Sequence, residues 1–589
     1  MLEIVSNRGS FSLAPEYKAD FEQSFSLADF EESRDLKSHS FTIPKNPENV
    51  ALVEEFAPLD APRQSNFSLE VELLLFDAVW SYGQLYFLDE DQDFYEVSFT
   101  GELSRLLNEI EDLNVRDIDY PDPVITDMYS HAETILANPG NYDYVFAPVD
   151  LPSLEGNFWW PAQCNSVVFN ANGSFNRYVE FWRHFDYEDF DPDRVKVANA
   201  GGPDLMYSVG EAFKFDGLFY EVTSDMFTGD TPDGNPGKVS QLTLGNVKRY
   251  NPMVPFFYVL KIFDRISSEL GVKFSGSILQ DSEIERLVFF NTVCLNSMED
   301  NTPGTVLTGT AVRYANHLPD QTVRSLLIDF CMWFNLKLEY RVIDNTLIFT
   351  QREAVLNSTL HDQLQKRVLK LETIYREKRT YNLRYNYREE DVNLASAGWQ
   401  ETLNGVDGEK GSTDIVADYS TLPMRYGYNE VDPDWKEFTG DSPIDESYYA
   451  DYWRPVSSLG LNAEVPKQWL FFRGFHEYEY PPAGATNVPE IPLVSSNLDY
   501  VNSNGLDSYT CYWQGTGGLY LTWWKKYLYA LSLGKVLRAF VLFNGGNWNV
   551  ANLKERQLLF EYVCIIEKIK LSAGRNTHEI VAELEVLKL

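Results

Sequence analysis

A mainly β fold carrying α+β modules is what this sequence predicts, on three grounds. Strand-forming aromatic and β-branched residues recur through most of the 589 residues, with aromatics at 15%. Apolar and polar residues alternate in many segments, the pattern of strands with one buried face. A few segments instead repeat at steps of three and four and run straight into an alternation, as a helix packed on a sheet does. A chain of this length exceeds what one core usually supports, so about three to five packed units are expected.

The elements follow in order. "SFTIP" and "FSLEVELLLF", with Phe67, Leu69, Val71 and Leu73 alternating, read as strands. In "GQLYFLDEDQDFYEVSFTG", Leu85 and Phe87 alternate, an acidic turn follows, and Tyr95, Val97 and Phe99 return, which is a hairpin. Leu103, Leu106, Leu107 and Ile110 have helical spacing, and "YPDP" ends that helix. Residues 124–250 read as an insertion holding "NFWWPAQ", "DYEDFDPDR" and "TGDTPDGNPGK", with strands returning near "LFYEVTS". From Pro255, the residues Phe256, Val259, Leu260, Phe263 and Leu270 mark a helix stopped by Gly271, and "VKF" turns extended.

"HLPDQTVRSLLIDFCMWFNLKLEYRVIDNTLIFT" is the clearest unit. Val323, Leu326, Leu327, Phe330 and Phe334 line a helix face, with Asp320 placed as its N-cap. After Asn335 the period becomes two: Leu336, Leu338, Tyr340 and Val342 go out, Asp344-Asn345 turns, and Leu347 and Phe349 come back. "VLKLETIY" and "YNLRYNY" read as strands around the charged turn "REKRT", and Asp391 to Asn502 as a long irregular region. "GLYLTWWKKYLYAL" places Leu519, Trp523, Tyr527 and Leu531 on one helix face. "KVLRAFVLF", "LLFEYVCIIEKIKL" and "HEIVAELEVLKL" then read as three strands, the last expected to tie the C-terminus into a sheet.

Chemistry is sparse. Seven histidines, at 39, 131, 184, 317, 361, 476 and 578, form no HExxH or HxH pair, and neither GxSxG nor a Walker loop occurs. "GTGGLY" lacks the Lys-Ser/Thr of a phosphate loop and reads as a helix entry. Asp89, Asp91 and Asp93 have the spacing of a calcium loop, but Phe94 stands where its glycine belongs and no glutamate follows at the twelfth place, so the segment reads as a solvated turn. Neither an enzymatic activity nor a metal or cofactor is expected. Five scattered cysteines without a CxxC pair argue for synthesis in a reducing cytoplasm. The first residues lack a basic and an apolar region of a signal peptide, and no run of about 18 uncharged apolar residues occurs. A net charge of −39 opposes binding to nucleic acid through its phosphates.

The order of the "GQLYFLDEDQDFYEVSFTG" hairpin, "PFFYVLKIFDRISSELGVKFSGSIL", the His317–Phe349 unit, "GLYLTWWKKYLYAL" and "CIIEKIKLSAGRNTHEIVAELEVLKL" resembles that of the baseplate hub and tail-tip proteins of tailed bacteriophages. These segments cover about a fifth of the chain. The resemblance implies a structural virion protein at the tail tip, a homotrimer at the distal end of the tail tube. Its partners would be its own copies, the tube or distal tail ring, and tip or fibre proteins, with DNA passing through without specific binding. It further implies two tube-like β-barrels per chain with inserted and intervening helix-and-sheet domains. The first barrel would take residues 1–118 with a return at 206–250 after an insertion at 119–205. An intervening module would span 251–364, and the second barrel 365–390 and 503–589 around an insertion at 391–502. If DNA threads the ring, acids on barrel strands are expected to face the lumen, the candidates being Glu70, Glu72, Glu96, Glu583 and Glu585.

Two other function classes predict different sites. Trp159, Trp160, Trp453, Trp513, Trp523 and Trp524 lie in aromatic-rich stretches that suit core packing, a subunit interface, or stacking on sugar rings of a receptor. A tail-associated cell-wall hydrolase would need a catalytic constellation that the sequence does not display.

Overall fold

The computed structural model describes residues 2–15, 18–24, 36–54, 67–125, 127–151, 163–165, 167–169, 175–178, 190–193, 195–198, 202–209, 211–216, 218–242, 253–295, 310–374, 380–386, 400–403, 412–427, 438–439, 442–443, 452–455, 457, 459, 465–477, 490–498, 507–545, 555–575 and 578–589. Its dominant feature is one large sheet built from both ends of the chain. Strands Leu2–Ser6, Ser68–Leu75, Ala78–Glu90 and Phe94–Gly101 follow one another, then Lys37–Ser38 and Lys18–Ser24, and there the sheet crosses to the C-terminal strands. Tyr562–Gly574, Glu579–Lys588, Lys535–Asn544 and Val368–Ile374 complete it, the last forming an edge. Alternation decides which face is buried: Leu69, Val71, Leu73 and Leu75 point inward, as do Ile580, Ala582, Leu584 and Val586.

The mainly β expectation holds, but among the described residues no closed barrel is found. Most strands of 1–118 and 503–589, with Val368–Ile374, form two halves of this one sheet, joined where Lys18–Ser24 pairs with Tyr562–Gly574 from Lys18↔Gly574 to Ser24↔Lys568. Nor do the described strands of 206–250 rejoin the first half. Ala212–Phe215, Leu218–Val222 and Val239–Leu242 pair with one another, and Leu205–Tyr207 with Met226–Phe227, around a separate core of Met206, Tyr207, Phe213, Val222, Met226 and Val239. That apolar cluster gives the segment a core of its own, so it needs no place in the large sheet.

Between the two halves in sequence lies the helix-and-sheet module. Helix Val259–Leu270 ends at Gly271, whose φ of 61° closes the helix in a left-handed cap. Strand Lys273–Ser275 then runs parallel to Thr346–Gln351, which pairs with Leu336–Arg341. Helix Val323–Trp333 covers that sheet through Phe330, which packs 4.9 Å from both Phe263 and Phe334. Its N-cap is Thr322, whose hydroxyl accepts from the Ser325 amide; Asp320 instead accepts from the Asn114 side chain at 2.6 Å. The helix starts two residues later than the first polar candidate because Gln321 is drawn inward, its side chain donating to the Tyr419 hydroxyl.

Three further differences concern strands. "VLKLETIY" and "YNLRYNY" are not a hairpin: Val368–Ile374 joins the large sheet, whereas Thr380–Tyr385 pairs with Gln400–Leu403 and Ser412–Ala417. "LLFEYVCIIEKIKL" is two strands, Arg556–Leu559 and Tyr562–Gly574, turning at Phe560 with φ 54°. The region 391–502 contributes Trp469–Glu477 and Glu490–Ser495, which form a sheet with Leu287–Phe289, so part of it belongs to the central core.

Candidate assembly surface

The outward face of the large sheet is a register of charge. Glu70, Gln84, Thr100, Lys37, Glu22, Lys570, Glu583, Phe540 and Lys370 are successive cross-strand partners over nine strands, so they form one row on one face. Its acids Glu70, Glu22 and Glu583 are matched in number by Lys37, Lys570 and Lys370. A shorter row beside it, Lys568, Glu585, Arg538 and Glu372, alternates in sign at every step. All five acids picked out in the sequence therefore share this face, since Glu72 and Glu96 follow Glu70 and precede Thr100 at even spacing on their strands.

The two halves of the face differ electrostatically. From the seam into the C-terminal half, four acids have a cation: Lys568 Nζ lies 2.6 Å from Glu22, Arg538 Nε 2.9 Å from Glu583, Lys570 Nζ 3.6 Å from Glu585, and Lys370 pairs with Glu372. Burial alone would raise the Glu22 carboxyl, but the hydrogen bond and charge of Lys568 outweigh it and hold the group below its ordinary range. In the N-terminal half, none of Glu70, Glu72 and Glu96 has an ion-pair partner among the described residues; Glu96 stands opposite Asp89 and Thr42. Glu583 and Glu585 thus sit in a paired ladder, while Glu70, Glu72 and Glu96 have no cation paired with them among the described residues.

The aromatic candidates separate in another way. Trp513, Trp523 and Trp524 are interior side chains at 0%, 6% and 0% exposure, closed to a sugar or a partner. Trp523 packs 5.4 Å from Phe334, Trp513 5.7 Å from Tyr385, and the Trp524 indole donates to the Trp333 carbonyl. They bind the C-terminal helix to the central module, helped by Asn335, whose side chain donates to the Trp523 carbonyl at 2.8 Å. Trp453 lies on strand Tyr452–Pro455 opposite Tyr426, and Trp159 and Trp160 fall outside the described residues.

A polar cluster that sequence reading missed locks the module shut. The Arg473 guanidinium, wholly buried, donates to Glu283 at 2.6 Å, to the Ser495 hydroxyl at 3.0 Å and to the Tyr509 carbonyl at 2.6 Å. Glu283 also accepts from the Ser508 and Tyr509 amides, both at 2.8 Å. Arg286 pairs with Asp507, which lies 3.5 Å from Arg473. No spacing in the sequence links these residues; only the fold brings three distant segments together.

Loop motifs have local explanations. The Asp91 carboxylate accepts from the Asp93 and Phe94 amides, an Asx turn that closes the acidic hairpin, and the carboxyl is correspondingly lowered. In "GTGGLY", a Cβ on Gly517 would come within 2.1 Å of the Ser508 carbonyl, so glycine is required by close backbone packing. All five cysteines are buried free thiols, and burial pushes that of Cys511 up to about 12. Among the described residues no helix is long and apolar enough to cross a membrane.

No protein-family model and no curated protein matches the chain. Among solved structures it is similar to the 43 kDa tail protein of prophage MuSo2 from Shewanella oneidensis, at 8% identity and a TM-score of 0.34 over 99% of this chain and 95% of that one. It is also similar to the tail protein from Neisseria meningitidis MC58, at 9% identity and a TM-score of 0.29 over 100% of this chain and 96% of that one.

Proposed function

We propose that this chain is a structural protein of a bacteriophage tail, a homotrimeric hub at the distal end of the tail tube that helps to line the DNA channel. The observation that carries this reading is the single sheet assembled from both ends of the chain, which would give each copy one broad curved wall with an open edge at Val368–Ile374. An exposed edge strand is a ready template for a neighbouring chain, and Leu369 on it is 60% exposed. The order of sequence segments shared with hub proteins supports the same reading. In this arrangement the outward face of the sheet would turn to the lumen, with Glu70, Glu72 and Glu96 repelling phosphate and the paired ladder of Glu583 and Glu585 offering it no net attraction. The tube or distal tail ring would stack on one end and tip or fibre proteins on the other.

The test is the mass of the purified chain by light scattering together with imaging of tails labelled at the C-terminus. A trimer and label at the tube end are expected. A strictly monomeric chain that is absent from the tail tip would sink the proposal.

A further inference from the structure

One stretch breaks the acidic character of the chain. Between Asp507 and Glu555 no aspartate or glutamate occurs, while Lys525, Lys526, Lys535, Arg538 and Lys554 all fall there, in a protein of net charge −39. Its helix, a π turn at Tyr520–Trp524 continued by Lys525–Leu533, buries Trp523, Trp524, Tyr527, Leu528 and Leu531. The opposite face is open. Leu521, Lys525, Tyr529 and Leu533 follow at steps of four and so form one stripe, its three apolar members 44%, 55% and 46% exposed. Lys525 has no ion-pair partner among the described residues, and Lys526 has Glu353 at 3.6 Å.

A surface of matching composition stands at the tip of the hairpin formed by Ala78–Glu90 and Phe94–Gly101. Asp89, Asp91 and Asp93 are exposed there, and the neighbouring Lys45 is engaged by Glu90 at 3.0 Å. Beside them the register slips between Phe87 and Asp89, a bulge that turns Leu88 outward to 56% exposure. Acids around an apolar knob and lysines along an apolar stripe are complementary in both charge and polarity. Their places in the sheet also suit two neighbouring copies. The helix leads straight into Lys535–Asn544, the strand beside the open edge Val368–Ile374, whereas the hairpin belongs to the other half of the sheet. A contact between two different patches of one chain is the heterologous kind that builds a ring of three.

From these features we infer that the Asp89–Asp93 tip of one copy docks on the Leu521–Leu533 helix face of the next, Leu88 covered by the apolar stripe and the aspartates facing Lys525 and Lys526. The inference rests on the homotrimer proposed above and names the contact that orients its copies. Lys525→Glu with Lys526→Glu reverses the helix face, and Asp89→Lys with Asp93→Lys reverses the tip while keeping the turn made by Asp91. Full-length chains are compared by sedimentation velocity over a dilution series at low salt, with circular dichroism reporting the fold. Each reversal alone is expected to raise the concentration of half-assembly about tenfold or more, and added salt to shrink the difference. The combined variant, in which opposite charges face each other again, should return to within about threefold of the parent. Leu88→Ser, which leaves every charge in place, should raise that concentration about threefold or more and serves where a reversal does not fold. The inference is overturned, and the trimer left standing, if a folded reversal or Leu88→Ser assembles as the parent does. It is equally overturned if the combined variant recovers nothing, since the helix face would then meet a different acidic partner. A parent that stays monomeric at every concentration overturns both.

Discussion

Glu22, in the third strand of the chain, and Lys570, in its penultimate strand, are direct cross-strand partners in one sheet. Their pairing marks the seam at which the two ends of the polypeptide become a single wall. Phe21 beside it is 2% exposed and packs 5.1 Å from Trp80, so the seam has an apolar inner side as well as a charged outer one.

Charge reversal should reveal the seam. Lys570→Glu would place a carboxylate between Glu22 and Glu583, its two cross-strand neighbours, and near Glu585. A loss of roughly 1 kcal/mol is expected in urea denaturation at low salt, shrinking as salt is added. Adding Glu22→Lys should recover part of it; a double variant no better than the single one would contradict the cross-strand relation.

The buried guanidinium predicts a larger effect. Arg473→Ala leaves buried Glu283 without its cation and Asp507 with Arg286 alone, and removal of one member of a buried pair typically costs about 3–5 kcal/mol. Thermal unfolding should show a drop far beyond that of Lys570→Glu. An unchanged midpoint would mean that the network does not hold residues 507–511 to the module.

Asp329 supplies a pH dependence. Burial, followed by the charge of Asp418, raises its carboxyl to about 7, against the partial relief of Lys467 and the Ser325 hydroxyl. The unfolded chain releases this proton near the ordinary aspartate value, so folding loses stability as pH climbs from there, and the loss is complete above about 7. Asp329→Asn should therefore stabilise the protein at pH 8 by up to a few kcal/mol and have little effect at pH 4. Equal effects at both pH values would show that the carboxyl is not the cause.

Turn chemistry gives a stabilising variant. Phe560 holds φ at 54° between two paired strands and is 41% exposed, so its ring gives little in return for the strained backbone. A left-handed conformation costs a non-glycine residue roughly 1–2 kcal/mol. Phe560→Gly should raise the unfolding midpoint by an amount corresponding to roughly 1 kcal/mol; a lower midpoint would mean that the ring packs against something essential.

The same turn shows where sequence reading stopped. "LLFEYV" contains no Gly, Asn or Pro, so periodicity ran through it and joined two strands into one. Where a punctuating residue exists, the boundary was legible: Gly271 ends its helix where expected, and Asn345 turns the hairpin at φ 53°. Helix faces were legible too, since Leu519, Trp523, Tyr527 and Leu531 are all interior. Strand partners were not. Lys18–Ser24 was not read as a strand, so nothing local joined Glu22 to Lys570, and alternation gave no sign that Trp469–Glu477 belongs to the central core. That all five candidate acids share the outward face comes from the strand pairings in the structure. Which of them are neutralised depends on register, which no local pattern encodes.

The acids of the N-terminal half make the channel reading testable. Glu70→Lys, Glu72→Lys and Glu96→Lys together would turn an acidic strip basic. If that strip lines the lumen, assembled tails should eject DNA more slowly at low salt, with the difference fading as salt is raised. Ejection at the parent rate would place the strip elsewhere.

The most direct measurement of the central claim is the position and copy number of this chain in intact tails, by cryo-electron microscopy with a C-terminal label. Three copies in a ring at the distal end of the tube, each contributing the joined sheet to the channel wall, is the predicted result. Label confined to fibres or absent from the tail, with the purified chain monomeric, would contradict it.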